Sequence, residues 1–141
     1  MEDFRINKKI EYILFLFSKK LETSFKENDI DLTAEQYSLL SKLWKCNGCI
    51  QQHLADACKR DRSAVTRMID ILENKNMVIR IPDKNDRRVK TVYLTKKGEN
   101  MEAKANECLR KATDILFDGF SKDEITLLNN YFQRISENLK V

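Results

Sequence analysis

Glycine and proline are nearly absent, three and one in 141 residues. With so few residues that break or reverse a chain, loops must be few and helices long. No apolar run is long enough for a membrane: the best stretch, Ile10–Phe17, is short and interrupted, against roughly 20 residues for a spanning helix. The first residues, Met1-Glu2-Asp3, are acidic, whereas an export signal begins basic, so the expected location is cytoplasmic. There the four cysteines are expected as reduced thiols rather than disulfides. The chain has a single histidine and no glycine-rich phosphate loop, no Ser-His-Asp set with distinctive flanks and no carboxylate pair in a recognisable context. No enzyme, cofactor or metal is therefore expected.

What remains is ordinary globular material, 42% hydrophobic and 34% charged, which excludes a disordered chain and a membrane protein. Its length suits one domain, or a small domain with an oligomerisation arm. The net charge of +4 is modest, but its placement is uneven. From Lys59 to Lys97 there are twelve Lys and Arg against five Asp and Glu, a net +7 that leaves −3 for the rest. Such a block suits a phosphate-binding surface, although a solvated charged face has the same composition.

Apolar residues at Ile6, Ile10, Ile13, Leu14, Phe17, Leu21 and Phe25 recur in steps of three and four, which predicts a long helix over 4–26. Tyr12, Phe15 and Leu16 widen its stripe beyond what one core buries, so a second subunit is the expected partner. Thr33 and Gln36 form a capping box, with Leu32 and Tyr37 as its staple, and Leu39, Leu40, Leu43 and Trp44 continue that helix to Asn47-Gly48. A short helix over 51–58 turns Leu54, Ala55 and Cys58 inward. Asp61 then suits the N-cap of a helix over 62–75, with Val65, Met68, Ile69 and Leu72 on one face and Ser63, Thr66, Arg67 and Asp70 opposite. Asn76 is placed to end it in the left-handed conformation. Two β-prone runs, 78–81 and 89–94, flank the polar turn 82–88. One long helix is expected from Leu94-Thr95 through Leu116, and a last one after a second capping box, Ser121 with Glu124.

In chain order this reads helix, short helix, turn, helix, hairpin. The fold expected is mainly α with a small β-hairpin wing: a winged helix-turn-helix with long N- and C-terminal dimerisation helices. Residues 1–31 and 96–141 would form the dimerisation region and residues 32–95 the DNA-binding lobe. The second helix of such a motif enters the major groove, about 12 Å wide, and needs a small, polar, basic outer face. Arg62, Ser63, Thr66 and Arg67 meet that need. The hairpin tip offers Lys84, Arg87 and Arg88 to an adjacent minor groove, with Asp86 able to hold Arg88 extended.

The stretch Leu32 to Gly98 resembles the MarR family of winged-helix transcriptional regulators. The residues that carry the likeness are Leu32-Thr33-Ala34-Glu35-Gln36-Tyr37, Leu54-Ala55, Asp61-Arg62-Ser63-Ala64-Val65-Thr66-Arg67, Asp83-Lys84-Asn85-Asp86-Arg87-Arg88 and Leu94-Thr95-Lys96-Lys97-Gly98. The resemblance implies a homodimer on a palindromic duplex operator, acting as a repressor, with the Asp86 and Arg88 pair in the wing. It also implies release by a small aromatic effector, or by cysteine oxidation. The chain departs from the family in having Asn76-Met77 where Gly-Leu is usual, and Ile50 where Thr or Ser often caps the short helix.

Cys46 and Cys49 form a C-x-x-C without the βαβ context of a thioredoxin site, and His53 with Cys58 completes a set of zinc-ligand types whose helix faces diverge. Packing thiols, a redox switch through Cys46, Cys49 or Cys58, and a metal site stay open as readings, as does a helical dimer that binds protein or small molecule but no DNA.

Overall fold

A computed structural model describes residues 2–140, with side chains from residue 5 onward. The described elements run α1 (Glu2–Glu27), α2 (Ala34–Lys45), β1 (Cys49–Ile50), α3 (Gln51–Cys58), α4 (Arg62–Asn74), β2 (Val78–Pro82), β3 (Lys90–Leu94), α5 (Lys96–Asn100), α6 (Glu102–Leu116) and α7 (Lys122–Leu139).

The helix starts are set by their caps. Thr33 accepts from the Gln36 amide at 3.1 Å while the Gln36 side chain accepts from the Thr33 amide at 3.1 Å, so two otherwise orphaned donors are satisfied together. Ser121 and Glu124 repeat the device at α7. Asp61 caps α4 by accepting from the Ala64 amide at 2.7 Å, and this bond is the main reason its carboxyl sits below the usual range. Asn76 ends the segment at φ +60. Ile50 provides no side-chain cap for α3.

Around these starts one core closes. Leu39, Leu40 and Leu43 of α2, Leu54 of α3, and Val65, Met68, Ile69 and Leu72 of α4 are buried together with Val78 and Val92 of the sheet. Phe25 and Leu21 of α1 join them against the small residues Ala105, Cys108 and Ala112 of α6. Tyr37 bridges the two groups: its ring lies 5.8 Å from Phe25 and 5.7 Å from Trp44, and its hydroxyl donates to Asn106 at 2.8 Å.

Two sequence expectations need correction. The hairpin is part of a three-stranded antiparallel sheet in the order β1-β3-β2, with Cys49 opposite Val92 and Arg80 opposite Val92 across the other edge. The single helix expected after Leu94 is two helices, parted at Met101. Cys58, expected inward beside Leu54 and Ala55, packs against the core and is half-buried at the end of α3, where Lys59 turns left-handed at φ 53.

Two helices are left with apolar faces uncovered. α7 buries none of its residues, and Leu127, Tyr131, Phe132, Ile135 and Leu139 are exposed on it. On α1, Ile6, Ile10, Tyr12, Ile13, Leu14, Phe15 and Leu16 are exposed as well.

A compact joint connects the sheet to the long helices. The Met77 carbonyl accepts from the Thr95 amide at 3.0 Å, and Thr95 caps α5 through the Gly98 amide at 3.1 Å. Trp44 Nε1 donates to the Gly98 carbonyl at 2.9 Å. A Cβ on Gly98 would stand 2.1 Å from the Met77 oxygen, so backbone would have to shift to admit it. Gly98→Ala is therefore expected to lower stability by about 1–3 kcal/mol, as overpacking in a tight site does, read from the urea midpoint at unchanged slope.

Candidate nucleic-acid interface

The seat of α4 decides what faces solvent. Burying Val65, Met68, Ile69 and Leu72 on one stripe leaves Arg62, Ser63 and Arg67 exposed and Thr66 half-buried on the other. The helix starts free of acidic residues in its first turn, apart from its cap Asp61. Ser63 donates back to Asp61 at 3.1 Å, which places its oxygen at the helix entrance. Arg62 and Arg67 form no salt bridge among the described residues.

The hairpin tip is organised by carboxylates. Asp83 accepts from the amides of Asn85 and Asp86, both at 3.0 Å, and the turn closes through Asp83 N–H to the Val89 carbonyl at 2.8 Å. Asp86 takes the Arg88 guanidinium in a two-point contact, Nε to Oδ1 at 3.1 Å and the terminal nitrogen to Oδ2 at 3.2 Å, and also accepts from the Arg88 amide at 3.1 Å. These bonds hold the Asp86 carboxyl below its usual range. The Arg88 side chain nevertheless stays 91% exposed. A guanidinium so held has its direction fixed and donors left over. Lys84 and Arg87 are exposed beside it.

The two elements face one concavity. A groove of about 530 Å³ is lined by Gln51, Arg62 and Thr66 on the helical side and by Arg80, Asp86 and Arg88 on the sheet side. Four of the eight residues named from sequence, Arg62, Thr66, Asp86 and Arg88, thus share one groove. Ser63, Arg67, Lys84 and Arg87 are exposed outside that lining.

Two residues of this region were not singled out from the sequence. Arg80 of β2 reaches α4, where its guanidinium pairs with Asp70 and with Glu73 at 3.0 Å, while its amide donates to Glu73 at 3.2 Å. Only 17% of the side chain is exposed. It ties the sheet to the helix it flanks, and its sole sequence trace was an Arg in an otherwise apolar strand. Gln51 donates to the Thr66 hydroxyl at 2.7 Å, joining α3 to α4.

The thiols lie apart from this groove. Cys46 is exposed, Cys49 and Cys58 are half-buried, and Cys108 is buried. Burial pushes the Cys49 and Cys58 thiols up, so both hold less thiolate at neutral pH than a free cysteine. Among the described residues no group of three His, Cys, Asp or Glu is arranged to hold a metal ion, and His53 is exposed. No described helix is long and apolar enough to cross a membrane.

Arg80 generates a test of its own. Its hydrogen bond is the main cause that lowers the Glu73 carboxyl from 4.5. A depressed carboxyl favours the folded state above its unfolded value, and that contribution is lost as pH falls through the lowered one. The protection factors of the β2 and β3 amides, each rate being compared with its intrinsic value at the same pH, are thus expected to be high above about pH 4.5 and to fall in acid. In Arg80→Met they should be low at every pH, while those of the α4 core stay high.

Comparisons with known proteins agree with this geometry. Residues 32–90 match the model of the MarR family. The chain is similar to the HTH-type transcriptional regulator YybA of Bacillus subtilis (strain 168), 28% identical over 112 residues, covering 79% of this chain and 75% of that protein. Among solved structures, the transcriptional regulator SlyA is 28% identical with a TM-score of 0.85, covering 95% of this chain and 93% of SlyA. A MarR-family transcriptional regulator of Listeria monocytogenes, solved in complex with a 26mer DNA, is 26% identical with a TM-score of 0.80, covering 94% and 87% of the two chains. Residues 32–90 thus carry the MarR-family match, and the chain as a whole shares the winged helix-turn-helix fold of the transcriptional regulators it is similar to.

Proposed function

We propose that the protein is a homodimeric repressor, acting in the cytoplasm, that binds a palindromic duplex operator and leaves it when a small aromatic effector binds. Residues 32–95 act as the reading lobe, and residues 1–31 and 96–141 as the dimer body. The observation that carries this reading is the shared groove: α4 offers Arg62 and Thr66, and the hairpin offers Arg88, to a single concave surface with only Asp86 as a carboxylate in its lining. A cationic concavity flanked by the exposed Ser63, Arg67, Lys84 and Arg87 is suited to the phosphates and base edges of a duplex. The DNA complex of the Listeria relative supports the same use of the fold.

The dimer is supported by the uncovered faces. A helix of 18 residues with five large apolar side chains exposed and none buried has no energetic reason to stay in water alone. The stripe on α1 is similarly open, and a shallow apolar recess of about 340 Å³ between α1 and α6, lined by Ile13, Leu16, Phe17, Ile115 and Leu116, gives a partner's side chains somewhere to seat. A two-fold contact through both chain ends would set two α4 helices side by side, as a palindrome requires.

Arg88→Ala is expected to weaken operator binding by about 1–3 kcal/mol, measured by fluorescence anisotropy on a selected operator. Wild-type affinity should fall steeply with salt as counterions are released. Affinity indifferent to both changes overturns the reading. Separately, Phe132→Asp with Ile135→Asp should convert a dimer to a monomer in sedimentation equilibrium, and with it lose the operator. A wild-type chain that sediments as a monomer removes the dimer from the proposal.

A further inference from the structure

Thr66 stands in the middle of the outer face of α4, yet its hydroxyl is already engaged. It donates to the Arg62 carbonyl at 2.9 Å and accepts from Gln51 Nε2 at 2.7 Å. A hydroxyl has one proton and two lone pairs. Thr66 has therefore spent its proton, and a base that approaches it finds no donor. Gln51 is in the opposite condition. Its carboxamide uses one N–H on Thr66, and its Oε1 and second N–H have no partner among the described residues. An amide oxygen and N–H side by side are the pair that meets N6 and N7 of adenine in the major groove.

Position and rigidity agree with that chemistry. Gln51 opens α3, lines the same groove as Arg62, Thr66 and Arg88, and is only half-buried. A glutamine has several rotatable bonds and loses side-chain freedom when it docks on a base. The bond to Thr66 restricts that freedom in the unbound protein, which is the condition for a selective contact. We infer that Gln51, held by Thr66, reads one adenine in each operator half-site, with Thr66 as its positioning residue. This rests on the DNA-binding function proposed above and adds a reading residue from outside the helix that enters the groove.

The test is selection of bound duplexes from a randomised library by the full chain, in wild-type, Gln51→Ala, Gln51→Glu, Thr66→Val and Thr66→Ser forms. Wild type is expected to enrich a half-site with one strongly preferred A·T pair. Gln51→Ala should lower the preference at that pair by about tenfold and leave the other positions unchanged. Gln51→Glu, nearly identical in shape, should move the preference toward cytosine, whose N4 donates to a carboxylate. Thr66→Val should relax the same pair, and Thr66→Ser, which keeps the hydroxyl, should restore it. If Gln51→Ala enriches the wild-type half-site with uniformly weaker binding, the side chain contacts phosphate and the inference is wrong. It is equally wrong if Thr66→Val alters a different pair from Gln51→Ala. Should wild type enrich no duplex at any salt concentration, the DNA-binding function itself fails, and this inference with it.

Discussion

The seating of α4 on the core is the constraint on which the rest depends. Four apolar side chains, Val65, Met68, Ile69 and Leu72, are withdrawn from water along one stripe, and each contributes about 1.5–3 kcal/mol when fully buried. That total exceeds what the opposite face gains from its own contacts, which are hydrogen bonds such as Ser63 to Asp61 and Gln51 to Thr66 and the half-exposed ion pair of Asp70 with Arg80. The rotation of the helix about its axis is therefore fixed from behind. The outer face has no share in the core, so it is free to carry the exposed Arg62, Ser63 and Arg67 and the half-buried Thr66. The Asp61 cap fixes where the helix begins, and with it which residues occupy the end nearest the groove.

Cations near that face divide into two kinds. Arg80 is consumed by Asp70 and Glu73, and both carboxylates belong to the helix that the sheet must accompany. Arg88 is directed by Asp86 but remains almost wholly exposed. In the first pairing the guanidinium is largely shielded while its two carboxylates stay partly in water, so it is Arg80 that would be left poorly compensated if they were removed. The second lies in solvent, where an ion pair adds little stability. Its consequence is orientation. Negative charge is thus spent where the fold needs fastening and kept sparse where a polyanion would approach. The −3 outside the central block leaves the +7 segment electrostatically distinct from the rest of the chain.

Much of this was legible in the sequence because it rests on local patterns. The capping boxes at Thr33 and Ser121, the N-cap at Asp61, the left-handed Asn76 and the stripe of α4 each depend on residues within a few positions of one another. What escaped was non-local. Strand β1 is two residues long, too short for any alternation. It exists because Cys49 and Ile50 pair with Val92 and Thr91, and because the Asn47 side chain accepts from the Leu94 amide at 2.9 Å. The bonds from Gln51 to Thr66 and from Arg80 to Glu73 span 15 and 7 residues between different elements. The break at Met101 falls inside a stretch whose apolar spacing continues across it, so periodicity predicts one helix there. Cys58 follows the spacing of the buried face and packs against the core, and its partial exposure comes from its place at the end of α3.

The joint around Gly98 links these local facts to assembly. The Asn76 carbonyl accepts from the Thr95 hydroxyl at 2.6 Å, Lys97 Nζ donates to the Lys75 carbonyl at 2.9 Å, and Trp44 from α2 donates to Gly98. The end of α4, the root of the sheet and the start of α5 therefore meet within one hydrogen-bonded unit that a single added methyl would disturb. A unit packed this closely transmits displacement rather than absorbing it. The next place along the chain where the helical geometry is interrupted is Met101, between α5 and α6. If the long helices pair with a second copy, the separation of the two α4 helices depends on that interruption and on the packing of α1 against α6, because the joint at Gly98 ties the end of α4 to the start of α5.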